Sequence, residues 1–140
     1  MVPAIPTADV DTPSVNERVV VTLTSGKEDN GKNATMAFSC GLASLSLGKP
    51  TTIFLTSDGA VWGYQGTAQG IAVQGFPPLS ELIDQYLEAG GEVILCSVCH
   101  TTCSVGPPGG GPPVKKLPGI VIGGFTTVVD RAIGGTTISF

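Results

Sequence analysis

The sequence predicts an α/β protein: a three-layer α/β/α sandwich around an open, mostly parallel sheet of about five strands. Three observations carry that expectation. The β-branched runs are continuous rather than alternating, which marks strands buried on both faces. Helical periodicity separates the first runs from one another, and glycine and proline punctuate the joins. Buried strands joined through helices run parallel, with right-handed crossovers.

The elements follow in order. "RVVVTL" (Arg18 to Leu23) is a β-branched run closed by "TSG", and reads as a buried strand. "TSGKEDNGKN" loops into a helix that sets Ala34, Ala37, Phe38, Gly41, Leu42 and Leu45 on one face, and Gly48 and Pro50 stop it. Met36, Cys40, Ala43 and Leu47 make its other side apolar as well, so cover on both sides is expected. "TTIFL" (Thr51 to Leu55) is the second strand. A glycine-rich connection runs from Thr56 to Phe76, too long for a plain loop, with Trp62 and Tyr64 as interface or core aromatics.

A second helix spans about Pro78 to Ala89, with Leu79, Leu82, Ile83, Tyr86 and Leu87 inward and Gly90-Gly91 ending it. "EVILC" (Glu92 to Cys96) is the third strand. "GPPGGGPP" (Gly106 to Pro113) suits neither strand nor helix and reads as a flap. "GIVIGG", "FTTVVDRAIGG" and "TTISF" give a fourth strand, a short helix and a terminal strand. Residues 1–17 read as a loose tail and 18–140 as a single domain.

Composition narrows the function. Only 13% of residues are charged and the net charge is −4, which argues against nucleic acid or an anionic membrane as partner. No window approaches the roughly 18 apolar residues of a membrane span. The N-terminal stretch lacks the basic and apolar regions of an export signal, so a cytoplasmic setting with reduced thiols is expected.

The chemistry concentrates in "ILCSVCHTTC". Cys96, Cys99, His100 and Cys103 are acceptable zinc ligands, but they crowd into eight consecutive residues without a second ligand pair elsewhere. Cys96-Ser97-Val98-Cys99-His100 spells the haem-attachment motif, but it begins in a buried strand and no export signal precedes it. A thioredoxin-like pair fits the C-x-x-C spacing but lacks the usual aromatic, glycine and proline neighbours. Two readings of Cys96 then stand side by side. It ends a strand, where helix N–H groups would favour a thiolate; it is equally a small buried hydrophobe. Cys40, mid-helix among Ala, Ser and Phe, reads as core packing.

The order of segments resembles the DsrE/DsrF-like family. The matching pieces are "VVVTLTSGKED" before an alanine-rich helix, "LGKPTTIFLTSDGAVW", "GGEVILCSVC" and "LPGIVIGGFTTVVDRAIGGTTISF", together spanning nearly all of Arg18 to Phe140. Where many members continue with a small-residue helix and "RG", this chain has "HTTCSVGPPGGGPP". The resemblance implies a sulfur carrier with sulfurtransferase-type chemistry: Cys96 holds sulfur as a persulfide and Cys99 is the second, resolving thiol. His100 and Cys103 are accessory candidates, His100 as a support for the thiolate. It implies no cofactor and no metal, sulfur donor and acceptor proteins or small thiols as partners, and self-association as a homotrimer or hexamer. The competing class is a non-enzymatic oligomeric binding protein of the same fold, using the Cys/His cluster for a metal.

Overall fold

The computed structural model describes residues 17–102 and 115–140. The predicted tail up to residue 16, Cys103 and the Gly106–Pro113 segment lie outside the described residues. Five strands form one sheet: β1 (Val19–Leu23), β2 (Thr51–Leu55), β3 (Glu92–Cys96), β4 (Val121–Gly123) and β5 (Thr136–Ser139). Their order is β4-β3-β2-β1-β5 and every neighbouring pair is parallel. Helices α1 (Lys32–Ser46) and α2 (Leu79–Glu88) pack together on one face. On the other lies α4 (Phe125–Ala132), whose Phe125 ring meets Phe54 of β2 edge-on. The short α3 (Ser97–Thr102) begins directly where β3 ends. The expected sandwich of about five strands is therefore present, and each predicted strand and helix is found.

Why the central strands hold is plain from their side chains. All five residues of β2 are buried, and Val93 to Cys96 of β3 are buried in succession. A strand enclosed on both faces cannot alternate polar and apolar residues. Truncating one such core side chain, Leu95 to alanine for example, costs about 2–5 kcal/mol.

One expectation needs correction. Among the described residues, helix α1 is covered on one side only: Leu47 beyond its end is 74% exposed and Met36 is 39% exposed. Cys40, Ala43, Ser44 and Leu47 instead line a shallow cavity of about 280 Å³ with Val19 and Ile138 at the β5 edge. An apolar residue reports a preference, not the existence of a neighbour. In the connection between β2 and α2, the core reading of the two aromatics holds. Trp62 and Tyr64 are buried core residues there, on and just beyond a 3-10 turn at Ser57–Gly63.

Tyr86 of α2 ties the layers together. Its ring is fully buried and meets Phe38 of α1 edge-on, with centroids 5.7 Å apart. Two glycines make room for it. A methyl group at Gly41 would come within 2.7 Å of the ring, and one at Gly91 would collide with it outright. The Tyr86 hydroxyl donates to the carbonyls of Thr51 (3.1 Å) and Glu92 (2.8 Å), bridging the first residues of β2 and β3. Burial, reinforced by the nearby Glu92 charge, pushes the phenol far above its ordinary pKa, so it stays a donor.

Beside that bridge, on the α4 face, the Glu92 carboxylate accepts from Arg131 of α4 at 2.9 and 3.2 Å and from Thr52 at 2.7 Å. The Arg131 bonds hold Glu92 below the usual carboxylate pKa against the opposing effect of burial, with Thr52 assisting. A depressed carboxylate stabilises the fold above its unfolded pKa and loses that contribution as pH falls through the folded value. Glu92→Gln should therefore lower the unfolding free energy at neutral pH by about 1 kcal/mol, allowing for the third of each side chain that solvent reaches. Urea titrations of both proteins should converge in acid. A gap that persists there would assign the loss to something other than the ion pair.

Candidate active site at the carboxyl edge of the sheet

A parallel sheet brings the carboxyl ends of all its strands to one edge, where ligands and chemistry gather. Here the β1 loop and the β2 loop interlock on that edge. Gly59 N–H donates to Thr24 O at 3.1 Å, and a side chain at Gly59 would run into the carbonyl of Leu23. The Trp62 indole N–H donates to Ser25 O at 2.9 Å, and Asn33 of α1 reaches the Ser25 hydroxyl at the same distance. The edge is thus built from hydrogen-bonded backbone.

Cys96 is the last residue of β3, as the sequence predicts. The β2–β3 register pairs Leu55 with Leu95, so the next row sets Thr56 opposite Cys96. The chain turns at once into α3, which carries Cys99 and His100. Cys96 is 1% exposed and Cys99 8%, and neither they nor Cys40 is in a disulfide.

The electrostatics favour an ionised Cys96. Burial alone pushes its thiol up. Against that, the sulfur accepts from the backbone N–H of Cys99, the Thr56 hydroxyl, the Cys99 thiol and the backbone N–H of Val98. Together these outweigh burial and set Cys96 below an ordinary thiol. Cys40 moves the other way, pushed up by burial with nothing to oppose it.

His100 turns toward Tyr64. Its Nδ1 lies 2.7 Å from the Tyr64 hydroxyl, and the two rings stack with centroids 5.8 Å apart and planes 13° apart. A neutral imidazole with its hydrogen on Nε2 accepts the tyrosine hydrogen in this geometry. Tyr64 is itself clamped by the returning chain: Gln65 N–H donates to Lys115 O and Leu117 N–H to Gly63 O, both at 2.8 Å. The pair therefore fastens α3 to the rim of the domain.

The structure brings Cys96, Cys99 and His100 together on β3 and α3, while Cys103 lies outside the described residues. Sequence reasoning missed Thr56. Its signal was position alone, one residue past a buried strand, and only the pairing of β2 with β3 gives that position meaning. Among the described residues no group of three His, Cys, Asp or Glu side chains is arranged to hold a metal ion. No helix among them is long and apolar enough to cross a membrane.

Comparison with known proteins gives a family and a fold. The profile of the DsrE/DsrF-like family matches residues 18–138. Among solved structures, the crystal structure of the ychN protein from E. coli is similar with a TM-score of 0.67 at 15% sequence identity. The match covers 89% of this chain and 99% of that one. A search of curated proteins finds no match.

The opposite displacements of two thiols in one chain supply a direct test. Labelling with iodoacetamide across a pH series, read by peptide mass spectrometry, should give Cys96 a midpoint below that of an ordinary thiol. Cys40 should have its midpoint above. The reverse order would contradict the hydrogen bonding described for Cys96.

Proposed function

The chain belongs to the DsrE/DsrF-like family, and from that premise we propose that it is a sulfur carrier that accepts and relays persulfide sulfur on Cys96. The observation that carries this reading is the Cys96 sulfur at the end of β3, bonded by two backbone N–H groups, a hydroxyl and a second thiol. Those four donors favour the thiolate, the form that attacks sulfur.

The exchange runs as follows. Cys96 thiolate attacks the outer sulfur of a donor persulfide, R–S–SH. A new S–S bond forms at Cys96, the donor's S–S bond breaks, and R–S⁻ departs. An acceptor thiolate then attacks the same outer sulfur and releases Cys96 as thiolate. Cys99 offers a second exit: its thiolate attacks the inner sulfur, closing a Cys96–Cys99 disulfide and expelling hydrosulfide. Donors and acceptors are small thiols or partner proteins, in a cytoplasmic setting that keeps the pair reduced.

Self-association belongs to this reading. Phe125, Val129 and Ile133 are 60%, 55% and 63% exposed, at i, i+4 and i+8 along α4 and just past its end. Val121 on the edge strand β4 and Val98 on α3 extend the apolar area. Exposed apolar patches of this kind mark interaction sites. This surface borders the thiols, since Cys96 pairs with Gly123 of β4 in the sheet. A trimer, or a hexamer built from two trimers, would cover it and place neighbouring chains around each Cys96.

Two measurements test the reading. After incubation with a persulfide donor, intact-mass spectrometry should find the added mass of one sulfur atom. Cys96→Ser should abolish the addition and Cys40→Ser should leave it unchanged. Loading of Cys96→Ser at the wild-type rate would reject the assignment. Light scattering at micromolar concentration should give a multiple of the chain mass, which Val129→Glu reduces toward a single chain. A wild-type mass of one chain would refute self-association.

A further inference from the structure

Thr56 occupies a position that suits one bond and makes another. It precedes the 3-10 turn at Ser57–Gly63 with extended backbone (φ −141°, ψ 167°), as a capping residue does. Yet its hydroxyl makes no capping bond to that turn. The hydroxyl oxygen lies 3.8 Å from Cys99 Sγ instead, and it also hydrogen-bonds the Cys96 sulfur.

Three features hold it there. The β2–β3 register sets Thr56 in the row of Cys96. The Thr56 N–H donates to Leu23 O at 3.2 Å and its carbonyl accepts from Gly59 N–H at 2.9 Å, locking the backbone on both sides. The next residue, Ser57, sits at φ 54°, a left-handed conformation that a residue with a side chain adopts only when its surroundings impose it. Strain next to a reactive sulfur is where such outliers gather.

A hydroxyl has one hydrogen to donate and lone pairs to accept with. With Cys96 ionised, the single Cys99 S–H is shared between the Cys96 sulfur and Thr56 Oγ1, while the Thr56 O–H donates to the Cys96 thiolate, so the hydroxyl closes a ring of hydrogen bonds between the two sulfurs. Among the described residues, the other titratable groups on the elements packed around the pair are Asp58 on the 3-10 turn, Tyr64 at its end, His100 on α3 and Glu92 at the far end of β3; His100 is engaged by Tyr64, and Glu92 by Arg131 and Thr52.

We infer that Thr56 carries the proton that must move when sulfur passes between Cys96 and Cys99. This rests on the sulfur-carrier reading above. In the handover, Cys96–S–SH and Cys99–SH become Cys96–SH and Cys99–S–SH. The Cys99 sulfur attacks the outer sulfur, one S–S bond forms at Cys99, and the one at Cys96 breaks. The Cys99 proton passes to Thr56 as the Thr56 hydrogen passes to the departing Cys96 sulfur. Atoms and charge balance within the three side chains, no oxidant or reductant is consumed, and no water needs to enter.

Thr56→Val keeps the side-chain shape and removes the hydroxyl, Thr56→Ser restores it, and Thr52→Val removes a hydroxyl from the far end of the same strand. Iodoacetamide labelling without any sulfur donor reads the first consequence. The Cys96 midpoint should rise by about one pH unit in Thr56→Val, as the loss of one charge-assisted hydrogen bond allows. It should return in Thr56→Ser and stay at the wild-type value in Thr52→Val. Loading with a persulfide donor, followed by peptide mapping over time, reads the second. Sulfur should reach Cys99 about tenfold more slowly in Thr56→Val than in wild type, within the range of a single positioned proton-transfer group or below it. Profiles and handover rates that superimpose on wild type would overturn the inference. Should Thr56→Val fail to fold, Thr56→Ala is read in the same two ways. Wild-type protein that takes no sulfur on Cys96 would reject the carrier reading, while the labelling profile would still decide whether the hydroxyl governs the thiol.

Discussion

The site depends on the register of β2 against β3. Because Leu55 pairs with Leu95, the residue just past β2 meets the last residue of β3, and a hydroxyl lands beside a sulfur. A slip of one residue would present Leu55 or Ser57 to Cys96 and would turn every β2 side chain to the opposite face. The same pairing places Thr52 beside Glu92 four residues earlier, so the two strands carry a hydroxyl–acid contact at each end, with Phe54 and Ile94 between them. Tyr86 pins the alignment from the α2 side by bridging the backbones of Thr51 and Glu92. Packing, register and reactivity are thus one argument about two adjacent strands.

Much of this was legible in the sequence, for identifiable reasons. Continuous runs such as "TTIFL" and "EVILC" announce strands enclosed on both faces, and the placement of Cys96 at a strand's carboxyl end follows from where the run stops. What was not legible is relational. Thr56 lies forty residues from Cys96 in the chain, and no local pattern states which row of β2 will oppose which row of β3. The same limit misled the reading of α1. Met36 and Leu47 are apolar, but no element among the described residues comes to cover them. For Trp62 and Tyr64 the sequence left interface and core both open, and the choice of core depends on the returning segment at 115–117, which closes over that connection.

Cys96 combines two properties that ordinarily oppose each other. Burial raises a thiol's pKa and blocks its access, yet Cys96 lies below an ordinary thiol while 1% exposed. Hydrogen bonds from fixed backbone replace the water that would otherwise support the anion. Such a sulfur is reactive toward what can reach it and hidden from what cannot, and the short α3 that supplies the backbone donors is held in place through His100 and Tyr64.

The box around Tyr86 has a consequence for how this sequence can change over time. Gly41, Gly91 and the Tyr86 ring share one volume, so none of the three positions is independent of the others. A chain that acquires alanine at position 41 or 91 must shrink the residue at 86, and with the phenol it gives up the bridge between Thr51 and Glu92. Substitutions here are therefore expected to appear jointly across relatives or not at all. In an alignment the three columns should covary, though they belong to two helices and the lead-in to a strand, and none of the three is itself a reacting residue.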